Sequence, residues 1–144
     1  MKKRLFVLIL AIMLIFTGCQ EEEKKEFNLN NAKSIIEENI SELRDISEDT
    51  LVDVYDLDLS NIDEFVFKQN DSGDFYAIIK AKDLSKVKNN MKDYFEKVEK
   101  FNTNYSPERL ELLKNRVEKE IDSYLIYIIS EDANSIYEKI INEM

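Results

Sequence analysis

The chain has no histidine anywhere, and that absence removes a good deal of chemistry. Without imidazole there is no Ser-His-Asp or Cys-His arrangement, no histidine-ligated metal, and not the commonest general base. Glycine occurs twice, at Gly18 and Gly73, so no Gly-x-Gly-x-x-Gly or phosphate-cradling glycine loop can be built. Pro107 is the one proline, and only it and Gly73 follow residue 18, so no long flexible linker divides the chain. Cysteine occurs once, at Cys19, which excludes an internal disulfide framework.

The position of that cysteine is informative. Lys2, Lys3 and Arg4 form a compact positive cluster, and Leu5 to Phe16 is unbroken apolar sequence. A membrane-spanning helix needs about 20 apolar residues, so this shorter run fits the h-region of a signal peptide. Thr17 and Gly18 lead into Cys19, an arrangement that resembles the lipobox of bacterial lipoproteins. The resemblance implies a diacylglyceryl group on the Cys19 thiol and cleavage just before it, although Phe16 stands where the pattern usually has leucine. Two acyl chains are enough for stable anchoring, where one would be marginal. The expected organisation is a signal peptide over residues 1–18, the lipidated Cys19 with a charged tether over 19–27, and one domain over 28–144. The tether, Gln20 to Glu26, has no apolar residue and reaches at most roughly 25 Å.

Without Lys2, Lys3 and Arg4, 17 basic residues face 30 acidic ones, a net charge of −13. Such a domain repels nucleic acid and anionic headgroups. The expected partners are the membrane, through the lipid, and an envelope protein or a cell-wall or small-molecule ligand, with no nucleic acid. One short domain cannot supply the two closing lobes of a solute-binding protein.

Periodicity predicts an α+β fold. Asn30 or Asn31 is placed to cap a helix with Ala32, Ile35, Ile36, Ile40 and Leu43 on one stripe. A short helical piece is expected over residues 49–55. Glu64 to Gln69 reads as a strand, Asn70-Asp71-Ser72-Gly73-Asp74 as a turn, and Phe75 to Ala81 as the returning strand. Asp83 caps an amphipathic helix with Leu84, Val87, Met91, Tyr94, Phe95, Val98 and Phe101 at helical spacing. Ser106-Pro107 starts another, carrying Leu110, Leu113, Val117 and Ile121. Tyr124 to Ile129 reads as a buried strand, with Tyr124 and Tyr127 on opposite faces. A last helix, capped by Ser130 or Asp132, carries Ile136, Tyr137, Ile140 and Ile141. The predicted order is α-α-β-β-α-α-β-α, with a small antiparallel or mixed sheet of about three strands packed against helices.

Asp58-Leu59-Ser60-Asn61-Ile62, Ala77 to Asp83, Asn104 to Glu108 and Ser123 to Ser130 together resemble an uncharacterised small-lipoprotein family of Firmicutes, the domain of unknown function 4358. The resemblance runs from about Asp49 to Ser130 and implies a lipid-anchored single domain, with no known activity. Many members carry a glycine just before the last strand, where this chain has Asp122-Ser123.

The remaining chemistry is that of carboxylates, hydroxyls and lysines. Ser85 and Lys88 match Ser-x-x-Lys, but the companion motifs of penicillin-binding enzymes are absent and a solvated first helical turn explains them better. Asp53, Asp56 and Asp58 are weak candidates for holding Ca²⁺ or Mg²⁺ through oxygen, though a polar loop with capping aspartates is the preferred reading. No cofactor is expected. Tyr105 could serve recognition at a helix corner, or could pack on the following turn as a hydrophobic staple with Ser106 as cap; the staple is preferred. The leading expectation is a non-catalytic binding module. The alternatives are an envelope enzyme working with carboxylates alone, recognisable by a carboxylate of raised pKa in a cleft, or a structural or assembly subunit.

Overall fold

A computed structural model describes residues 26–144. The segment read from sequence as a signal peptide, Cys19 and most of the expected tether lie outside the described residues. The elements are α1 (Leu29–Asn39), β1 (Arg44–Asp45), a π-helical turn (Thr50–Val54), β2 (Ile62–Gln69), β3 (Phe75–Ala81), α2 (Leu84–Tyr105), α3 (Pro107–Lys114), β4 (Val117–Ile121), β5 (Tyr124–Ile129) and α4 (Ala133–Asn142). One antiparallel sheet runs β1-β2-β3-β5-β4, so the fold is α+β with five strands rather than about three.

The two strands β3 and β5 bury both of their faces. Along β3, Phe75, Ala77, Ile79 and Ala81 face α2 and α3, while Tyr76 and Ile78 face α1 and α4. β5 repeats this, with Leu125, Tyr127 and Ile129 on the first side and Ile126 and Ile128 on the second. Side chains alternate across a strand, so two apolar faces need two layers of helix. That explains why both segments read as near-continuous apolar runs. The α2 stripe enters the first core through Val87, Met91, Tyr94 and Phe95, and Asp83 caps that helix by accepting from the Lys86 N–H at 3.1 Å.

Four local expectations change. The first helix is capped by Asn28, whose side chain accepts from the Asn31 N–H at 3.0 Å, and neither Asn30 nor Asn31 is the cap. Phe101 ends the α2 stripe in solvent, 63% exposed. The helix beginning at Pro107 stops at Lys114, and Val117 to Ile121 form β4. Val117 and Ile121 are four apart, and an even offset keeps two residues on one face of a strand as well as of a helix. The preferred staple at Tyr105 does not form either. Tyr105 is the last residue of α2, is 74% exposed, and lies against Phe101 with ring centroids 4.8 Å apart.

Candidate binding surface at the free sheet edge

β4 pairs with β5 on one side and, among the described residues, with nothing on the other. The direction of its free backbone groups follows from one hydrogen bond. Ala81 N–H donates to the Ser123 carbonyl at 2.9 Å, so Tyr124 turns its own N–H and C=O away from β3 and toward β4. Ile121, opposite Tyr124, therefore points inward, and by alternation Glu118 and Glu120 present their N–H and C=O groups to the outside.

Beside this edge lies a groove of about 630 Å³ between β4 and α2, lined by Lys88, Lys92, Arg116, Glu120, Leu125 and Tyr127. A second hollow of about 400 Å³, around Lys114, Lys119 and Asn134, shares Arg116, Glu118 and Lys119 with it. Arg116 builds the corner between α3 and β4. Its guanidinium lies 4.3 Å from the centre of the Phe95 ring, and Nη1 donates to the Leu113 carbonyl and to Glu99, both at 2.8 Å. Nε reaches Glu118. A planar cation with a fixed fork of donors suits such a junction, where a lysine would satisfy one partner at a time. Lys88 crosses the groove to Glu120. Lys92 has only Glu96, at 3.9 Å. Among the described residues Lys114 and Lys119 have no carboxylate within ion-pair distance, and the Lys119 ammonium lies 5.6 Å from the centre of the Tyr137 ring. On a chain with 30 acidic and 20 basic residues, this edge thus carries lysines that no carboxylate holds. Tyr127, beneath the groove, has its phenol pKa raised by burial and by the charge of Glu118, so it stays a neutral hydroxyl.

The residues singled out from sequence fall elsewhere. Asp53, Asp56 and Asp58 do not converge. Asp53 is exposed on the π-helical turn, Asp56 pairs with Lys97 at 2.8 Å, and Asp58 accepts from the Ser60 N–H at 2.9 Å. Those bonds hold the carboxyls of Asp56 and Asp58 below their ordinary range. Among the described residues no group of three such side chains is placed to hold a metal ion. Ser85 is exposed on the first turn of α2, and Lys88 is engaged with Glu120.

A second polar cluster joins α1 to the sheet. Buried Tyr76 donates to Glu37 at 2.7 Å, and Lys68 reaches Glu37 at 2.9 Å and Asp45 at 3.5 Å. Burial alone would push the Glu37 carboxyl up, but the bonds from Tyr76 and Lys68 and the Lys68 charge outweigh it and leave the pKa lowered. The bond to Glu37 in turn raises Lys68. Among the described residues the carboxylates whose acidity departs from the ordinary, Glu37, Asp56 and Asp58, depart downward, toward the charged form.

The two ends of the molecule differ. Phe27 packs on Tyr124, ring centroids 4.7 Å apart, at the β4–β5 turn end of the sheet. At the opposite end Arg109 of α3 reaches the carbonyl of Asp71 in the β2–β3 turn. The exposed Phe101–Tyr105 pair is near that second end, since α2 extends about 33 Å along the sheet.

Sequence reasoning did not find this edge. Its one signal was the alternation Val117-Glu118-Lys119-Glu120-Ile121, which the helical reading absorbed. A family model described as Domain of unknown function (DUF4358) matches residues 28–130, more than half of the chain. Comparison with curated proteins and with solved structures found no match.

Proposed function

The chain belongs to the family described as Domain of unknown function (DUF4358), and we infer that it is a lipid-anchored module on the outer face of the cell membrane that binds a partner rather than transforming a substrate. The observation that carries this reading is the open groove along β4, whose ionic groups surround a free sheet edge. Clefts that do carboxylate chemistry hold one carboxyl protonated near neutral pH. Among the described residues Glu37, Asp56 and Asp58, none of which lines the groove, are shifted the other way. That supports binding over a carboxylate enzyme.

The anchor enters the reading through Cys19, the lone cysteine placed directly after the apolar run. A tether of at most roughly 25 Å keeps the Phe27 end of the domain nearest the bilayer. The Phe101–Tyr105 end then faces outward, where two exposed aromatic rings favour a second reading, docking into an assembly.

Two experiments test the proposal. In cells fed a labelled fatty acid, the wild-type chain takes up label and Cys19→Ala does not; label persisting in the variant rejects the anchor. Photocrosslinking from the domain surface in native membranes, with an unrelated lipoprotein as control, gives one reproducible partner on the binding reading. No enriched partner shifts weight to the enzyme.

A further inference from the structure

Resting on the binding reading above, we propose that β4 is a docking edge that takes up an acidic, extended polypeptide segment as a sixth strand. The backbone requirement is met, because Glu118 and Glu120 turn unpaired N–H and C=O groups outward along five straight residues. The side chains then choose among occupants. On the α4 side of the sheet the strand presents Val117, Lys119 and Ile121, an apolar–cationic–apolar row, and Lys119 has no carboxylate partner among the described residues. The nearby Lys114 is likewise without a carboxylate, and Lys92 is held only loosely. By contrast Glu120 is held by Lys88, and Glu118 by Arg116, which it shares with Glu99. On the α4 side of the edge the charge left to be matched is therefore positive, although the chain as a whole is strongly acidic.

A second copy of this chain is a poor occupant. The antiparallel register that sets Val117 against Ile121 of the copy places Lys119, which no carboxylate holds among the described residues, opposite Lys119. Like charges directly opposite destabilise a strand pair. A segment with an acidic residue opposite Lys119, flanked at alternate positions by apolar residues opposite Val117 and Ile121, meets every one of these groups. Its acidic residue gains a cation, its apolar residues extend the core between the sheet and α4, and its backbone closes the ladder.

The test uses the full chain in lipid nanodiscs and the synthetic peptide Thr-Val-Thr-Glu-Thr-Ile-Thr, with a control that has Lys in place of Glu. Hydrogen exchange is followed across Val117–Ile121. The acidic peptide is expected to slow the Glu118 and Glu120 amides by about tenfold or more, the lysine peptide to leave them fast, and Lys119→Glu to reverse that preference. Exchange unchanged by either peptide overturns the proposal, as does protection of the same two amides that grows with protein concentration alone, which would identify a second copy. Photocrosslinking from positions 114 and 105 separates this failure from that of the broader reading. A partner captured from 105 and never from 114 removes the docking edge and leaves a binding module. Capture from neither removes both.

Discussion

Along the outer side of β2 a two-residue strand and a bulge interrupt the edge, whereas the five residues of β4 pair with β5 without a register shift and have no neighbour on the other side among the described residues. β1 covers β2 at Lys68 and Gln69, and the Ile46 N–H that follows it donates to the Phe67 carbonyl at 2.9 Å. Farther along, the register shifts between Ile62 and Glu64, and Asp63 is left without a partner on β3. A bulge twists an edge and spoils it as a template, and inward or flanking charge does the same. The β2 side uses both devices, with Asp63 and Glu64 beside the bulge; Asp63 reaches Lys80 at 3.8 Å, and Glu64 has no cation within ion-pair distance among the described residues. The β4 side has charge alone, of mixed pattern, and a register with β5 that does not shift. The difference teaches which edge the fold closes for good and which it leaves conditional on the sequence of what approaches.

The largest expected effect comes from removing the plug on the closed side. Leu51, on the π-helical turn, is fully buried in the core that β2, β3 and β5 share with α2, and the Leu57 N–H returns to its carbonyl at 3.0 Å. Leu51→Ala deletes buried methyl groups and leaves a cavity, at a cost of about 3 kcal/mol in chemical denaturation. Hydrogen exchange in the variant is expected to speed up along β1 and β2 before it does along β4. Uniform acceleration of the whole sheet would show that the turn is not a local cover.

A smaller effect follows from the ionic clasp at the end of β2. Glu37→Gln keeps an acceptor for Tyr76 but loses the ion pair with Lys68, and partial exposure screens the loss to about 1 kcal/mol. The pH dependence has a definite sign. The folded pKa of Glu37 lies below its ordinary 4.5, so its contribution is complete above that pH and is lost as pH falls through the folded value. Lys68 is raised above its ordinary 10.5, so its share is complete below that pH and fades as pH rises past it. Wild type and variant should therefore differ in stability between these limits and converge in acid. A difference that persists unchanged at pH 2 would mean that the glutamine perturbs packing.

How legible each edge was in the sequence follows the same physics. The β2–β3 hairpin was readable because aromatic and β-branched runs flank Asn70-Asp71-Ser72-Gly73-Asp74, whose chemistry admits little but a turn. Gly73 sits there at φ 97°, a conformation that suits no other residue as well. The α2 stripe was readable because most of its apolar positions do enter one core. The β4–β5 hairpin was not, because its turn is Asp122-Ser123 and because Val117 and Ile121 fit a helix and a strand equally. The groove was illegible for a further reason. Lys88, Arg116 and Glu120 are brought together only by pairing β4 beside β5 and laying α2 across it, and that depends on the strand the periodicity concealed.

The smallest expected effect tests that concealed turn. Asp122 has φ 53°, in the left-handed region, and the turn joins Ile121 to Tyr124 with two residues. For a residue with a Cβ that conformation costs about 1 kcal/mol, although aspartate tolerates it better than most. Glycine removes the steric cost and adds entropy to the unfolded chain, so part of the gain is returned. Asp122→Gly should raise stability by about 0.5 kcal/mol, read as a rise of roughly 2 °C in melting temperature. It should also leave exchange at Glu118 and Glu120 unchanged, since those amides already face outward. A loss of stability would mean that the aspartate side chain holds the turn. Slower exchange at the two amides would mean that the free edge of β4 is open only because its turn is strained.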